Sequence, residues 1–198
     1  MDKRRFLVTS GLASLLPAGA ALAATADARA SNPLQPGLLT VTGAVGKSNR
    51  GPFDPVLDLM MHRHGIQFDK AFVLDAGALQ GLPSVTIKPT LEYDSKPHQL
   101  EGPLLSSVLD AAGAPRGNTV QLGLRAVDGY NVTLSLSDAA AYRMIVAIRI
   151  DGKPMALGGL GPQWAVYDAD SLAAFKDKPV NQRFALCPWG LYHIDVKA

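Results

Sequence analysis

Residues 119–136 alternate with period two on both sides of an Asp128-Gly129 pair, and this pattern leaves the chain little freedom. Val120, Leu122, Leu124 and Ala126 alternate with Thr119, Gln121, Gly123 and Arg125; beyond the turn, Val132, Leu134 and Leu136 alternate with Asn131, Thr133 and Ser135. Successive strand side chains point to opposite faces, so this pattern around Asp-Gly dictates an antiparallel hairpin with one buried face. The rest of the chain reads as further strands with a few short helices between them.

It contains the signals for both. After a Pro/Gly linker, SNPLQPG, the run LLTVTGAV reads as the first strand, and the domain starts near Leu38. Pro55 to Arg63 has helical spacing with Val56, Leu59 and Met60 on one face, and FVLDAGALQGLP reads as a short helix closed by Gly81 and Pro83. VTIKPTL is a strand interrupted by Pro89, which confines it to an edge or a bulge. In PLLSSVLDAAG, Pro103 takes a first helical position, Leu104, Leu105, Val108, Leu109 and Ala112 form one stripe, and Gly113 stops the helix. Ser137 caps a short helix through Ala140, IVAIRI reads as a buried strand turned by Asp151-Gly152, and QWAVY and WGLYHIDV add strands. Many short strands with a few short helices and no regular βαβ alternation point to an α+β class, a mixed curved β-sheet in a single domain over residues 38–198.

Residues 1–30 read as an export signal and short linker. MDKRRFLVTSGLASLLPAGAALA has a basic start, an apolar run and candidate cleavage sites at Ala21-Leu22-Ala23 and Ala28-Arg29-Ala30. Lys3-Arg4-Arg5-Phe6-Leu7 resembles a twin-arginine signal with a lysine in one arginine's place; an ordinary secretory signal reads equally well. Either route implies a periplasmic location. Cleavage takes the formal net charge from +2 to zero. A neutral domain without a basic block excludes nucleic acid as a partner, since phosphate contacts need clustered Lys and Arg. The single cysteine, Cys187, excludes an internal disulfide and reads as a small apolar core residue.

No G-x-S-x-G elbow is present. His62 and His64 lack a third ligand at metal-site spacing and read as a polar helix end, and His98 and His193 as structural or exposed histidines. Two segments carry more. AVDGY places Asp128 and Tyr130 at a strand junction, and GGLGPQWAVY brings glycines, a proline, an indole and a phenol into a strand. Glycines let the backbone approach a planar ligand, Trp164, Tyr167, Tyr130 and Trp189 offer faces for stacking, and Asp128 offers a paired acceptor for an amino and ring N–H edge. The same residues also suit a core with a plain turn.

The succession LTVTGAV, LPSVTI, LEGPLLSSVLDAAGA, AVDGYNVTL, AIRIDGKPM and GPQWAVY resembles the molybdopterin-binding domain of the sulfite-oxidase family, in small exported members, over residues 38–196. Catalytic members keep a molybdenum-ligating cysteine between the VTI-like strand and the GPLLSSVL-like helix. Here that stretch is TLEYDSKPHQLEG, without cysteine, and a soft thiolate is what such a metal requires. The resemblance therefore implies a non-catalytic subgroup that binds a reduced pterin rather than molybdenum cofactor and reports it to a membrane-bound cyclic-di-GMP enzyme. It implies a pterin site drawing on Asp128, Tyr130, Arg149, Gly161, Pro162, Trp164, Tyr167 and Trp189, with Tyr93 against the ligand. The alternatives are a molybdenum-cofactor oxidoreductase with an atypical ligand such as Asp94 or Ser95, and an interaction domain with an empty pocket.

Overall fold

The computed structural model describes residues 35–198, so the export signal expected over residues 1–30 lies outside the described residues. In chain order the elements are β1 (Leu39–Gly43), α1 (Leu59–Arg63), β2 (Ala71–Leu74), α2 (Ala76–Gln80), β3 (Ser84–Ile87), β4 (Leu100–Pro103), α3 (Leu105–Ala111), β5 (Gln121–Ala126), β6 (Asn131–Ser135), α4 (Leu136–Ala141), β7 (Ile145–Ala147), β8 (Arg149–Ile150), β9 (Lys153–Pro154), β10 (Trp164–Val166) and β11 (Leu191–Lys197). A five-stranded sheet runs β2-β1-β11-β5-β6, a four-stranded one β3-β4-β8-β9, and β10 pairs with β7. Among the described strands only the β1–β11 pairing is parallel, which makes the large sheet mixed. The class is α+β, as the sequence pattern implies.

The expected hairpin forms as β5 and β6, with Leu122 opposite Leu134 and Leu124 opposite Val132, all buried. These side chains join Leu39, Val41, Leu74, Ile194 and Val196 on one face of the large sheet, and Leu105, Val108, Leu109 and Ala112 of the α3 segment belong to the same core. β3 is an edge strand, where the adjacent Pro89 costs no ladder hydrogen bond.

Several boundaries differ from the expected ones, each for a local reason. Pro103 closes β4 opposite Ser84 instead of opening the helix, and α3 begins after Leu104, with Leu105 donating its N–H to the Met144 carbonyl at 2.8 Å. At the preceding Gly102 a Cβ would collide with the Val146 carbonyl, so glycine is required where β4 passes β7. Phe72 to Leu74 belong to β2, and Asp75 starts α2 by accepting the Ala78 N–H at 2.7 Å. Ser135, not Ser137, caps α4, accepting the Asp138 N–H at 2.9 Å. IVAIRI divides at Ile148, which donates to Glu101 and accepts from Met155, so the chain leaves the β10 pairing for that of β4 and β9. The helix expected from Pro55 is held to Leu59–Arg63: Asp54 caps a single turn by accepting the N–H groups of Val56 and Leu57, and at Asp58 the backbone leaves helical geometry, with a ψ of 41°, before α1 begins. The face formed by Val56, Leu59 and Met60 is outside: Val56 is 78% exposed and Leu59 54%, while Met61 faces inward.

On the other face of the large sheet, His193 of β11 is buried and its Nε2 lies 2.8 Å from Thr42 Oγ1. Burial pulls its pKa down to about 4, with Asp195 opposing and Arg125 assisting. The folded chain therefore resists a proton that the unfolded chain accepts near 6.5. Stability contributed by neutral His193 is present above 6.5 and is lost as pH falls toward about 4, at about 1.4 kcal/mol per pH unit. Denaturant midpoints across that interval should show this slope in the native protein, and His193→Gln should flatten it.

Candidate functional site

Three segments meet at one end of the large sheet around a cavity of about 420 Å³. The loop after β3 contributes Glu92 and Tyr93, the β5–β6 turn contributes Ala126, Asp128 and Tyr130, and the approach to β11 contributes Asn181, Phe184, Ala185, Cys187 and Trp189. Gly129 makes the turn possible, since its φ of 92° is a left-handed conformation that side chains disfavour. Asp128 accepts the Tyr130 N–H at 2.9 Å, and the Tyr130 hydroxyl donates to the Ala185 carbonyl at 2.7 Å, tying the turn to the third segment. Val127 donates to the Gly190 carbonyl at 3.0 Å, so β11 holds both segments side by side. Asp170 fastens the remaining wall: Oδ2 takes the Thr90 N–H at 2.7 Å and Oδ1 takes Arg183 Nη1 at 2.7 Å.

The chemistry of the lining is acidic and aromatic. Glu92 and Asp128 supply carboxylates, Asn181 an amide, Tyr93, Tyr130 and Trp189 polar aromatic surface, and no lysine or arginine is among these lining residues. Glu92, Tyr93 and Trp189 lie together in this lining. Burial first, then the Glu92 charge, push the Tyr93 phenol up to about 12. Cys187 is 4% exposed; burial pushes its thiol up to about 12, with the neighbouring Tyr167 opposing and Glu92 adding to the rise. It is a neutral thiol at the floor of the cavity.

Of the residues the sequence singles out, Tyr93, Asp128, Tyr130 and Trp189 come together here, and the others do not. Trp164 and Tyr167 are fully buried, so neither ring leaves a face for a ligand. They support the third segment from beneath: Trp164 Nε1 donates to the Cys187 carbonyl at 2.8 Å, and the Tyr167 hydroxyl donates to the Arg183 carbonyl at 2.8 Å. Tyr167 also stacks on Phe175, with centroids 4.6 Å apart. Gly161 precedes a cis bond to Pro162 and packs against Met155, and Pro162 lines a different cavity beside Leu157 and Tyr192. Arg149 lies on the four-stranded sheet near Glu101 and Gln80. Asp94 and Ser95 do not line the cavity, and among the described residues no cluster of His, Cys, Asp or Glu has a metal-binding arrangement. Sequence reasoning missed Glu92, Asn181, Phe184 and Cys187. Glu92 next to Tyr93, and Cys187 two residues before Trp189, are the signals that could have found two of them.

No family model matches this chain, and no curated protein matches it. Among solved structures it is similar to the sulfane dehydrogenase SoxCD from Paracoccus pantotrophus, with a TM-score of 0.51 and 12% identity over 80% of this chain and 37% of that one. The likeness is one of fold, the sulfite-oxidase-like α+β type, and this chain spans little more than a third of that dehydrogenase's length.

A thiol titrating near 12 presents about a thousandfold less thiolate at neutral pH than an ordinary cysteine. Cys187 should therefore react with a disulfide reagent at least that much more slowly in the native than in the denatured protein. Trp164→Phe, which removes the donor to the Cys187 carbonyl, should raise the native rate; stopped-flow or spectrophotometric labelling reads both.

Proposed function

We propose that this chain is a non-catalytic binding protein for a reduced pterin, and that the cavity between Tyr93, Asp128 and Trp189 is its site. The observation that carries this reading is the pairing of carboxylates with polar aromatic surface in a cavity without a cation. An aminopteridine presents an amino group and ring N–H on one edge, which a carboxylate accepts as a pair, and a flat face suited to indole or phenol. Asp128 keeps Oδ1 on the Tyr130 N–H and offers its remaining oxygen to that edge, and Glu92 supplies a second acceptor.

Molybdenum cofactor fits these residues poorly. Its phosphate would meet Glu92 and Asp128 with no lining lysine or arginine to neutralise it, and the stretch from Thr90 to Gly102 offers no thiol. Cys187 gives the runner-up reading, an oxidoreductase with an atypical metal ligand, its one specific support, because the thiol lies at the floor of this same cavity.

Tyr93 and Tyr130 are 55% and 49% exposed, so a ligand between them would form part of the protein's outer surface. We assign the protein a periplasmic location and a regulatory role: the occupied surface is read by the periplasmic part of a membrane sensor that controls cyclic-di-GMP. This part of the proposal rests on the family resemblance and on the openness of the site.

Protein purified from an exporting host should release a fluorescent pterin on denaturation and contain no stoichiometric molybdenum by elemental analysis; near one molybdenum per chain would establish the runner-up. Asp128→Asn keeps the acceptor for the Tyr130 N–H but removes the charge, and should weaken pterin binding about tenfold with the fold intact. Unchanged affinity by fluorescence titration would remove Asp128 from the site.

A further inference from the structure

The loop that carries Glu92 and Tyr93 is a tight hairpin closed on itself. Thr90 bridges Pro97, Leu91 N–H donates to the Lys96 carbonyl at 2.9 Å, Ser95 N–H donates to the Leu91 carbonyl at 3.0 Å, and Ser95 takes a φ of 58°. At its foot stands His98, whose side chain is 24% exposed and lies between two carboxylates. Nδ1 is 2.6 Å from Asp151 Oδ2, in the turn between β8 and β9, and Nε2 is 3.0 Å from Asp94 Oδ2, at the hairpin tip beside Tyr93. Asp151 is itself fixed, its Oδ1 taking the Gln99 N–H at 2.9 Å and its N–H donating to the Gln99 carbonyl at 2.8 Å.

A carboxylate has no proton to give, so both ring nitrogens must donate, and only imidazolium does so. Neutral imidazole would turn a lone pair toward one of the carboxylates and lose that bond. The Asp94 bond is the longer of the two, and Asp94 is more loosely held than Asp151: its other oxygen takes only the Lys96 N–H, at 3.1 Å. Deprotonation should therefore release the hairpin tip.

We infer that His98 is a positioning residue: by bridging Asp151 and Asp94 it holds the 90–97 hairpin, and with it Glu92 and Tyr93, in the ligand-ready arrangement, and it does so only as a cation. The ligand half of this inference rests on the pterin reading; the clamp itself does not. The charged groups facing the ring are Asp94 and Asp151, which raise its pKa, and the neighbouring Lys96 acts on Asp94. Because the clamped pKa lies above the ordinary 6.5, the clamp is complete below 6.5 and is lost as pH rises through the raised value. Both aspartates are held below their ordinary range, so the clamp survives mild acid.

The test follows the His98 ring by NMR, the exchange protection of the 90–97 amides, and the affinity for 2-amino-4-hydroxypteridine, each across the same pH range. Protection and affinity should fall together by about fivefold as His98 deprotonates. His98→Gln, uncharged at every pH, should start at the lower level and show no such step, and Asp151→Asn should shift the ring's titration downward. An unchanged step in His98→Gln, or protection that ignores the ring's titration, overturns the clamp. Affinity that stays level while protection falls overturns the positioning role. Absence of pteridine binding at every pH would defeat the pterin reading, and the protection data would then decide the clamp alone.

Discussion

Strand β11 lies between β1 and β5, and the large sheet depends on its insertion there. It pairs parallel with the first strand and antiparallel with the fifth, so the sheet closes only when the last described segment returns to the first. Such non-local pairing is costly in loop closure, and it is offset by burial: Leu191, Ile194 and Val196 enter the main core fully. The same strand buries His193 against Thr42, which makes acid the condition under which this pairing is weakest.

The cavity is a consequence of that insertion. Gly190 at the head of β11 accepts from Val127 at the end of β5, and this one backbone contact sets the Cys187 to Trp189 segment against the Asp128 turn. The third wall arrives from the smaller sheet and is tied in through Asp170, which joins Thr90 to Arg183. Trp164 and Tyr167, which look like stacking platforms in the sequence, are instead beams under the 183–187 segment, each donating to a carbonyl in it. Burying an indole or phenol requires a partner for its polar tip, and here those partners are the site's own backbone.

Charge follows the same division. Burial, with the Glu92 charge adding to it, keeps Cys187 neutral and Tyr93 protonated, whereas the two carboxylates at the hairpin foot favour the charged form of His98. A group's protonation state thus follows from its burial and from the charges beside it, both of which depend on separations of a few ångströms between segments distant in sequence.

The β5–β6 hairpin, the apolar stripe of α3 and the α+β class were legible in the chain, and Pro89 narrowed β3 to an edge or a bulge, because period, turn chemistry and proline act over neighbouring residues. The sequence also placed Asp128 and Tyr130 together, since they share one turn. It could not show that Val56, Leu59 and Met60 face outward, because which side of α1 is covered depends on Phe68 and Tyr192 packing around Met61. Nor could it show that Cys187 and Glu92 meet, or that Arg149 and Pro162 lie elsewhere, because those positions depend on which strands pair and in what register. Packing settles which aromatics carry the cavity's surface and which hold it up: burial is a property of all the segments packed around a ring, and no local pattern encodes it.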